Sequence, residues 1–131
     1  EAGALLARRM VVFVAFMAET PVASAICYRD GQTLYGRHWG ASVDMPGLHF
    51  ELCDYQGIEH CIRNGLKAFE PGARGEHKLA RGFEPVPTWS AFWIAHPGMR
   101  SAVAEFIARE DSAMQDYEAE TAARLPFKRS V

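Results

Sequence analysis

A chain of 131 residues, 49% of them apolar, is the size of one domain and can enclose a single hydrophobic core. Its 14 Lys+Arg against 16 Asp+Glu give a net charge of −2, which removes any overall electrostatic reason to expect a polyanion as partner. Cys27, Cys53 and Cys61 form no CxxC pair and lack the density of a secreted disulfide scaffold, so buried structural thiols in a reducing cytosol are expected.

Residues 1–9 read as the end of a helix, and Val11 to Ala18 as a β-branched and aromatic strand covered on both faces. Arg8-Arg9-Met10, the apolar run and Ala23-Ser24-Ala25 together imitate a secretory signal. That reading fails because the supposed cleavage region continues into another apolar segment, Ile26-Cys27-Tyr28, and the run is too short to cross a bilayer as a helix. Thr20-Pro21 breaks the strand, Val22 to Tyr28 forms a second, Asp30-Gly31 signals a tight turn, and Thr33 to Trp39 forms a third, giving an antiparallel meander. Alternation places Tyr35, Arg37 and Trp39 on one face of the third strand and Leu34, Gly36 and His38 on the other.

Asp44 is placed to cap the next helix, Pro46 suits its first turn, and its free amides would attract phosphate or carboxylate if Asp44 did not satisfy them. Leu48, Leu52, Tyr55, Ile58, Ile62 and Leu66 recur at helical spacing, and Gly65 ends the helix. His49, Cys53, Gln56 and His60 form a second stripe, either the polar flank of the helix or a nucleophile with a base; they do not close a metal's coordination sphere, so no metal is expected. Leu66 to Phe69 reads as a short strand, followed by a polar loop with Pro71, Gly72 and Gly75. Val86 to Ala95 suggests a further strand or strand pair, and Met99, Val103, Phe106, Ile107, Met114 and Tyr117 mark a long C-terminal helix from Pro97.

The segments LYGRHWG, LHFELCDYQGIEHCI and FEPGARGEHKLARGF, in this order across nearly the whole chain, resemble the C-terminal part of a bacterial family of N-acyltransferases. That family is described as peptidoglycan biosynthesis or recognition proteins and is related to Fem-type transferases of the GNAT superfamily. His38, Asp54 and His60 depart from it, standing where aromatic residues would be expected. The resemblance implies an α+β fold: a GNAT-like mixed sheet with an antiparallel three-strand meander, a central helix and a long C-terminal helix. Residues 1–131 would be one such domain, the C-terminal portion of a longer cytoplasmic protein, whose third strand diverges from the Lys67–Glu70 strand to leave a cleft for an acyl donor.

At such a cleft an amine attacks an activated ester, which requires a base and oxyanion stabilisation. Glu70, Glu76 and His77 are the candidate bases, with a solvated loop pair as the plain alternative for Glu76 and His77. Lys78 and Arg81, with Tyr35, Arg37 and Arg74, are the candidate substrate contacts. The expected activity is N-acylation of an amine acceptor from acyl-CoA, with a cell-wall amine as the acceptor that the resemblance implies. Aminoacyl-tRNA is the less favoured donor because the chain lacks a basic stripe. The alternative is a non-catalytic module that binds a cell-wall precursor or an anionic metabolite. No membrane partner is expected. A homodimer is, because the Val11 strand would otherwise leave an edge and apolar surface open.

Overall fold

The computed structural model describes residues 2–72 and 75–127, apart from the side chains at 2, 5, 76, 112, 115 and 122. It divides into two compact units, Glu1–Arg74 and Gly75–Val131.

In the first unit a short helix α1 (Ala2–Ala7) leads into strands β1 (Met10–Met17), β2 (Thr20–Arg29) and β3 (Thr33–Ala41). These three form the expected antiparallel meander, and β4 (Ala68–Glu70) adds to β3 in parallel, giving a mixed sheet in the order β1-β2-β3-β4. The first turn is Ala18-Glu19, with Ala18 at φ 53, so the break comes before Thr20 rather than at Thr20-Pro21. Pro21 is accommodated within β2 because it opposes Phe16 where the β1–β2 register shifts. The second turn is built by Asp30, whose Oδ1 accepts the amides of Gln32 and Thr33.

Between β3 and β4 the chain forms one helical run, α2, composed of an α-helical turn Leu48–Phe50, a π-helical segment Glu51–Tyr55 and an α-helical stretch Gln56–Asn64. The expected cap at Asp44 is not the one used. Gly47, at φ 83, is the N-cap and makes no side-chain capping bond, and Pro46 lies before the first turn. Gly65 ends the helix as expected, at φ 63, with the Leu66 amide donating back to the Cys61 carbonyl.

The π-helical turn overturns the expected apolar stripe. It adds a residue to one turn and rotates everything beyond it, so the buried face passes from Leu52 to Gly57 and Cys61. Tyr55 and Ile62 consequently point to solvent, Ile62 at 75% exposure. The buried face rests on small side chains of β2. Ala23 and Ala25 pack with Leu52, and Cys27 packs with Leu34 and Cys61, while Phe13 of β1 touches both clusters. β1 is covered on one face only: Val11, Phe13 and Ala15 are half-buried, whereas Met10, Val12, Val14 and Phe16 are exposed, because the strand stands at the sheet's edge and α2 covers one side.

In the second unit a 3₁₀ turn spans Glu76–Arg81 and a helix α3 spans Pro97–Ala123, with Pro97 in its first turn and His96 as N-cap accepting the Met99 amide. Residues 86–95 form no strand. Pro85 and Pro87 each remove a ladder donor, and Trp89 and Trp93 are 92% and 82% exposed. On α3, Met99, Phe106, Ile107, Met114 and Tyr117 are exposed and Thr121 is buried.

A Cβ at Gly57 would run into the Phe69 ring. Gly57→Ala should therefore destabilise the chain by about 1–3 kcal/mol in urea titration, the usual cost of overpacking. With Phe69→Leu as background the added cost should shrink; equal costs in both backgrounds would mean that the ring is not the obstacle.

Candidate functional site

The site begins with an irregularity in β3. Tyr35 opposes Tyr28, Gly36 opposes Cys27, and then His38 opposes Ile26, so Arg37 is an extra residue in a β-bulge. The bulge reverses the facing of every side chain after it, which corrects the expectation that Tyr35, Arg37 and Trp39 share a face. Trp39 opposes Ala25 on the side of α2 and meets His49 edge-on at 5.3 Å. Tyr35 lies on the other face, beside Tyr28.

β4 completes the cluster. Its register sets Phe69 beside the buried Leu34 and Glu70 beside Tyr35. Glu70 Oε1 stands 3.3 Å from Arg37 Nη1, and the Arg37 guanidinium lies 5.4 Å from the centre of the Tyr35 ring. The Tyr35 hydroxyl donates to Asp30 Oδ2 at 2.8 Å. β4 stops at Glu70 while β3 continues to Ala41, so β3 from Arg37 onward lacks a β4 partner. Gly36 permits this geometry: a Cβ there would sit 3.3 Å from the Pro71 carbonyl oxygen, where the chain turns away from the sheet.

Three of the sequence-derived site residues, Tyr35, Arg37 and Glu70, are thus brought together in the first unit. Arg74 lies outside the described residues, as does the side chain of Glu76. His77, Lys78 and Arg81 belong to the 3₁₀ turn of the second unit, where Arg81 Nη1 donates to the His77 carbonyl at 2.6 Å; His77 is exposed and Lys78 and Arg81 are half-buried. Sequence reasoning missed Asp30. It was read only as a turn residue, although a tyrosine five positions on in the returning strand can reach back to its carboxylate.

The hydrogen bond to Tyr35 is the largest influence holding the Asp30 carboxyl below its usual range, helped by the Gln32 and Thr33 amides. The same bond pushes the Tyr35 phenol above its usual range.

The second stripe of α2 packs rather than converging. Cys53 lies against the Ala23–Ala25–Leu52 cluster, Gln56 donates to Glu51, and His60 meets Phe13 edge-on at 5.8 Å. No group of three His, Cys, Asp or Glu side chains is arranged to hold a metal among the described residues. Burial pushes the Cys27 thiol up to about 11, which keeps it protonated and unreactive. Asp54, within the π-helical turn, is 1% exposed.

The FemAB-like family of peptidoglycan biosynthesis/recognition matches residues 1–129. The chain belongs to that family. No curated protein and no solved structure matches it. In this FemAB-like chain His60 and Asp54 occupy packed places on α2: His60 makes an aromatic contact with Phe13, and Asp54 is enclosed. Among the described residues no helix is long and apolar enough to cross a membrane.

Two pH effects follow. Asp30→Asn should lower the Tyr35 titration toward an ordinary phenol, as read from ¹³C-labelled tyrosine by NMR; an unmoved Tyr35 would show that the carboxylate does not hold it. His60 is held below the usual imidazole range, first by burial and then by Arg29. The folded state therefore binds this proton less readily than the unfolded state, so its contribution to stability is present above the ordinary imidazole range and is lost as pH falls. His60→Phe should flatten the loss of thermal stability on acidification, and melting curves that fall in parallel for both proteins would exclude this role.

Proposed function

We propose that the chain is an N-acyltransferase that moves an acyl group from acyl-CoA to an amine of a peptidoglycan precursor. The observation carrying this reading is the Tyr35–Arg37–Glu70 cluster at the point where β4 leaves β3, in a chain of a peptidoglycan biosynthesis/recognition family. In this reading the donor lies along the edge of β3 past the end of β4, where strand amides and carbonyls can pair with its amide-bearing arm.

The chemistry asked of the residues is limited. The acceptor nitrogen attacks the thioester carbonyl, the C–N bond forms, and the C–S bond breaks with the electron pair leaving on sulfur. Glu70 takes the proton that the nitrogen loses and returns one to the thiolate, so that an amide and a free thiol result. Arg37 binds an anionic group of either substrate, and by shifting to it releases the Glu70 carboxylate for proton transfer. In the second unit, taken by itself, Lys78 and Arg81 are candidates for binding phosphate or carboxylate groups, and Glu76 and His77 are candidate bases. Aminoacyl-tRNA is the less favoured donor because the net charge is −2.

The family description also names recognition, which favours a second reading: binding of a cell-wall precursor without turnover. Calorimetry with coenzyme A and with precursors, alongside mass spectrometry of the products, separates the two. Donor binding with acylated product supports the transferase, and precursor binding without product supports the module. If the transferase reading holds, Glu70→Gln should lower kcat by about 10²–10⁴-fold, the usual range for loss of a general base. Arg37→Ala should act mainly on KM. Neither should shift the melting temperature much, because an exposed ion pair contributes only about 0.2–1 kcal/mol. Full activity in both variants would remove the cluster from the chemistry.

A further inference from the structure

The β-bulge that turns Trp39 toward α2 also moves its neighbour. His38 opposes Ile26, and Ile26 stands in β2 between Ala25 and Cys27, both buried beneath α2, so Ile26 and His38 point to the open face of the sheet. Tyr28 and Tyr35 form the next row on that face, two residues along β2 and therefore about 7 Å away. His38 is exposed and lies on the part of β3 that has no β4 partner. From Arg37 to Ala41 it is the only side chain that can accept a proton: Arg37 stays charged, Trp39 turns to α2, and Gly40 and Ala41 carry no polar group. Around it on the open face, β3 adds Tyr35 and Arg37, β2 adds Tyr28 and β4 adds Glu70, while Met10, Val12, Val14 and Phe16 of β1 do not titrate.

An amine acceptor arrives in neutral water largely as an ammonium, which has no lone pair with which to attack. Its conversion to an amide nitrogen removes two protons, one before attack to free the lone pair and one after the C–N bond has formed. The second passes through Glu70 to the departing thiolate. The first has no place in either product and must reach water. We propose that His38 is a further catalytic residue, the group that takes this first proton from the acceptor ammonium, a role that rests on the transferase reading. The step balances: ammonium and neutral imidazole become free amine and imidazolium, only N–H bonds change, and the imidazolium, being exposed, gives its proton to solvent before the next turnover. An imidazole gains and loses a proton readily near neutral pH, as such a relay requires. Glu70 is held by Arg37 until a ligand anion draws the guanidinium away, so it is not the group that meets the incoming ammonium. The Arg37 guanidinium itself disfavours a second cation nearby and so favours release of the proton.

The test follows kcat/KM of the full chain from about pH 6.5 to about pH 10, a range that spans ammonium deprotonation. Acetyl-CoA and palmitoyl-CoA serve as donors and a cell-wall stem peptide with a free amine as acceptor, with product read by mass spectrometry. His38→Gln should lower kcat/KM about 10²-fold near neutrality. The loss should shrink as the pH rises past the acceptor's own pKa, because the amine then arrives free. Added imidazole should restore part of the neutral-pH rate, since the position is open to water. Glu70→Gln should stay slow across the whole range, because the second proton has to leave at every pH. The exposed His38→Gln change should leave the melting temperature where it was, which separates the effect from misfolding. A His38→Gln chain that matches the unmodified one at every pH, or that loses the same factor at every pH, overturns the role of His38 and leaves the transferase reading standing. A chain that forms no acylated product overturns both.

Discussion

The first unit depends on how closely α2 can lie on the sheet. β2 offers it Ala23, Ala25 and Cys27, small side chains that let a helix approach, with Phe13 of β1 filling the space between two clusters that would otherwise be separate. Close-packed interiors tolerate few voids, so the helix must answer this floor with the right residues at the right rotation. The π-helical turn supplies that rotation by bringing Leu52, Gly57 and Cys61 onto one face. Gly57 in turn admits the Phe69 ring, and Phe69 seats β4 against Leu34. Glu70 is the next residue. The position of the candidate site's carboxylate is thus a consequence of packing on the opposite face of the sheet.

The bulge at Arg37 makes the complementary contribution. An unbroken β3 would keep Trp39 on the outward face with Tyr35 and Arg37 and would turn His38 to the side of α2, because every residue would follow the alternation. With the extra residue Arg37 still meets Glu70, while Trp39 turns over to pack on His49. One local disruption of the ladder therefore serves two layers, a polar cluster on the open face and an aromatic contact with the helix.

Those two irregularities also mark the limit of what the sequence disclosed. The meander, the Asp30 turn, the Gly65 stop and the short strand after it were legible because each rests on local chemistry: alternation, a side chain that mimics a turn, a residue free to take positive φ. A π-helical turn and a β-bulge each change the count by one residue, and a periodicity argument assumes that the count never changes. Tyr55 and Ile62 were assigned to the core, and Trp39 to the wrong face, for the same reason. The segment 86–95 misled differently, since its aromatic and β-branched residues suit a strand while Pro85 and Pro87 withhold the donors that a strand needs. Tyr35, Arg37 and Glu70 were named from resemblance and residue type, whereas Asp30 required knowing that the hairpin brings its carboxylate to the Tyr35 hydroxyl.

The energetics separate the groups that hold the fold from those that can act. Asp54 and Cys27 are enclosed, and moving either would disturb a packed interior. The Arg37–Glu70 pair is 41% and 50% exposed, so water already screens its attraction and exchanging one partner for a ligand anion costs little. Tyr35 is restrained from the far side by Asp30, which fixes its ring beside a guanidinium held by exposed bonds to the Gly36 carbonyl and to Glu70. A positioned ring, an exchangeable cation and a carboxylate on a short strand anchored by Phe69 combine stable placement with weak mutual binding. A ligand competes against the weak interactions there, while the strong ones lie on the other face of the sheet.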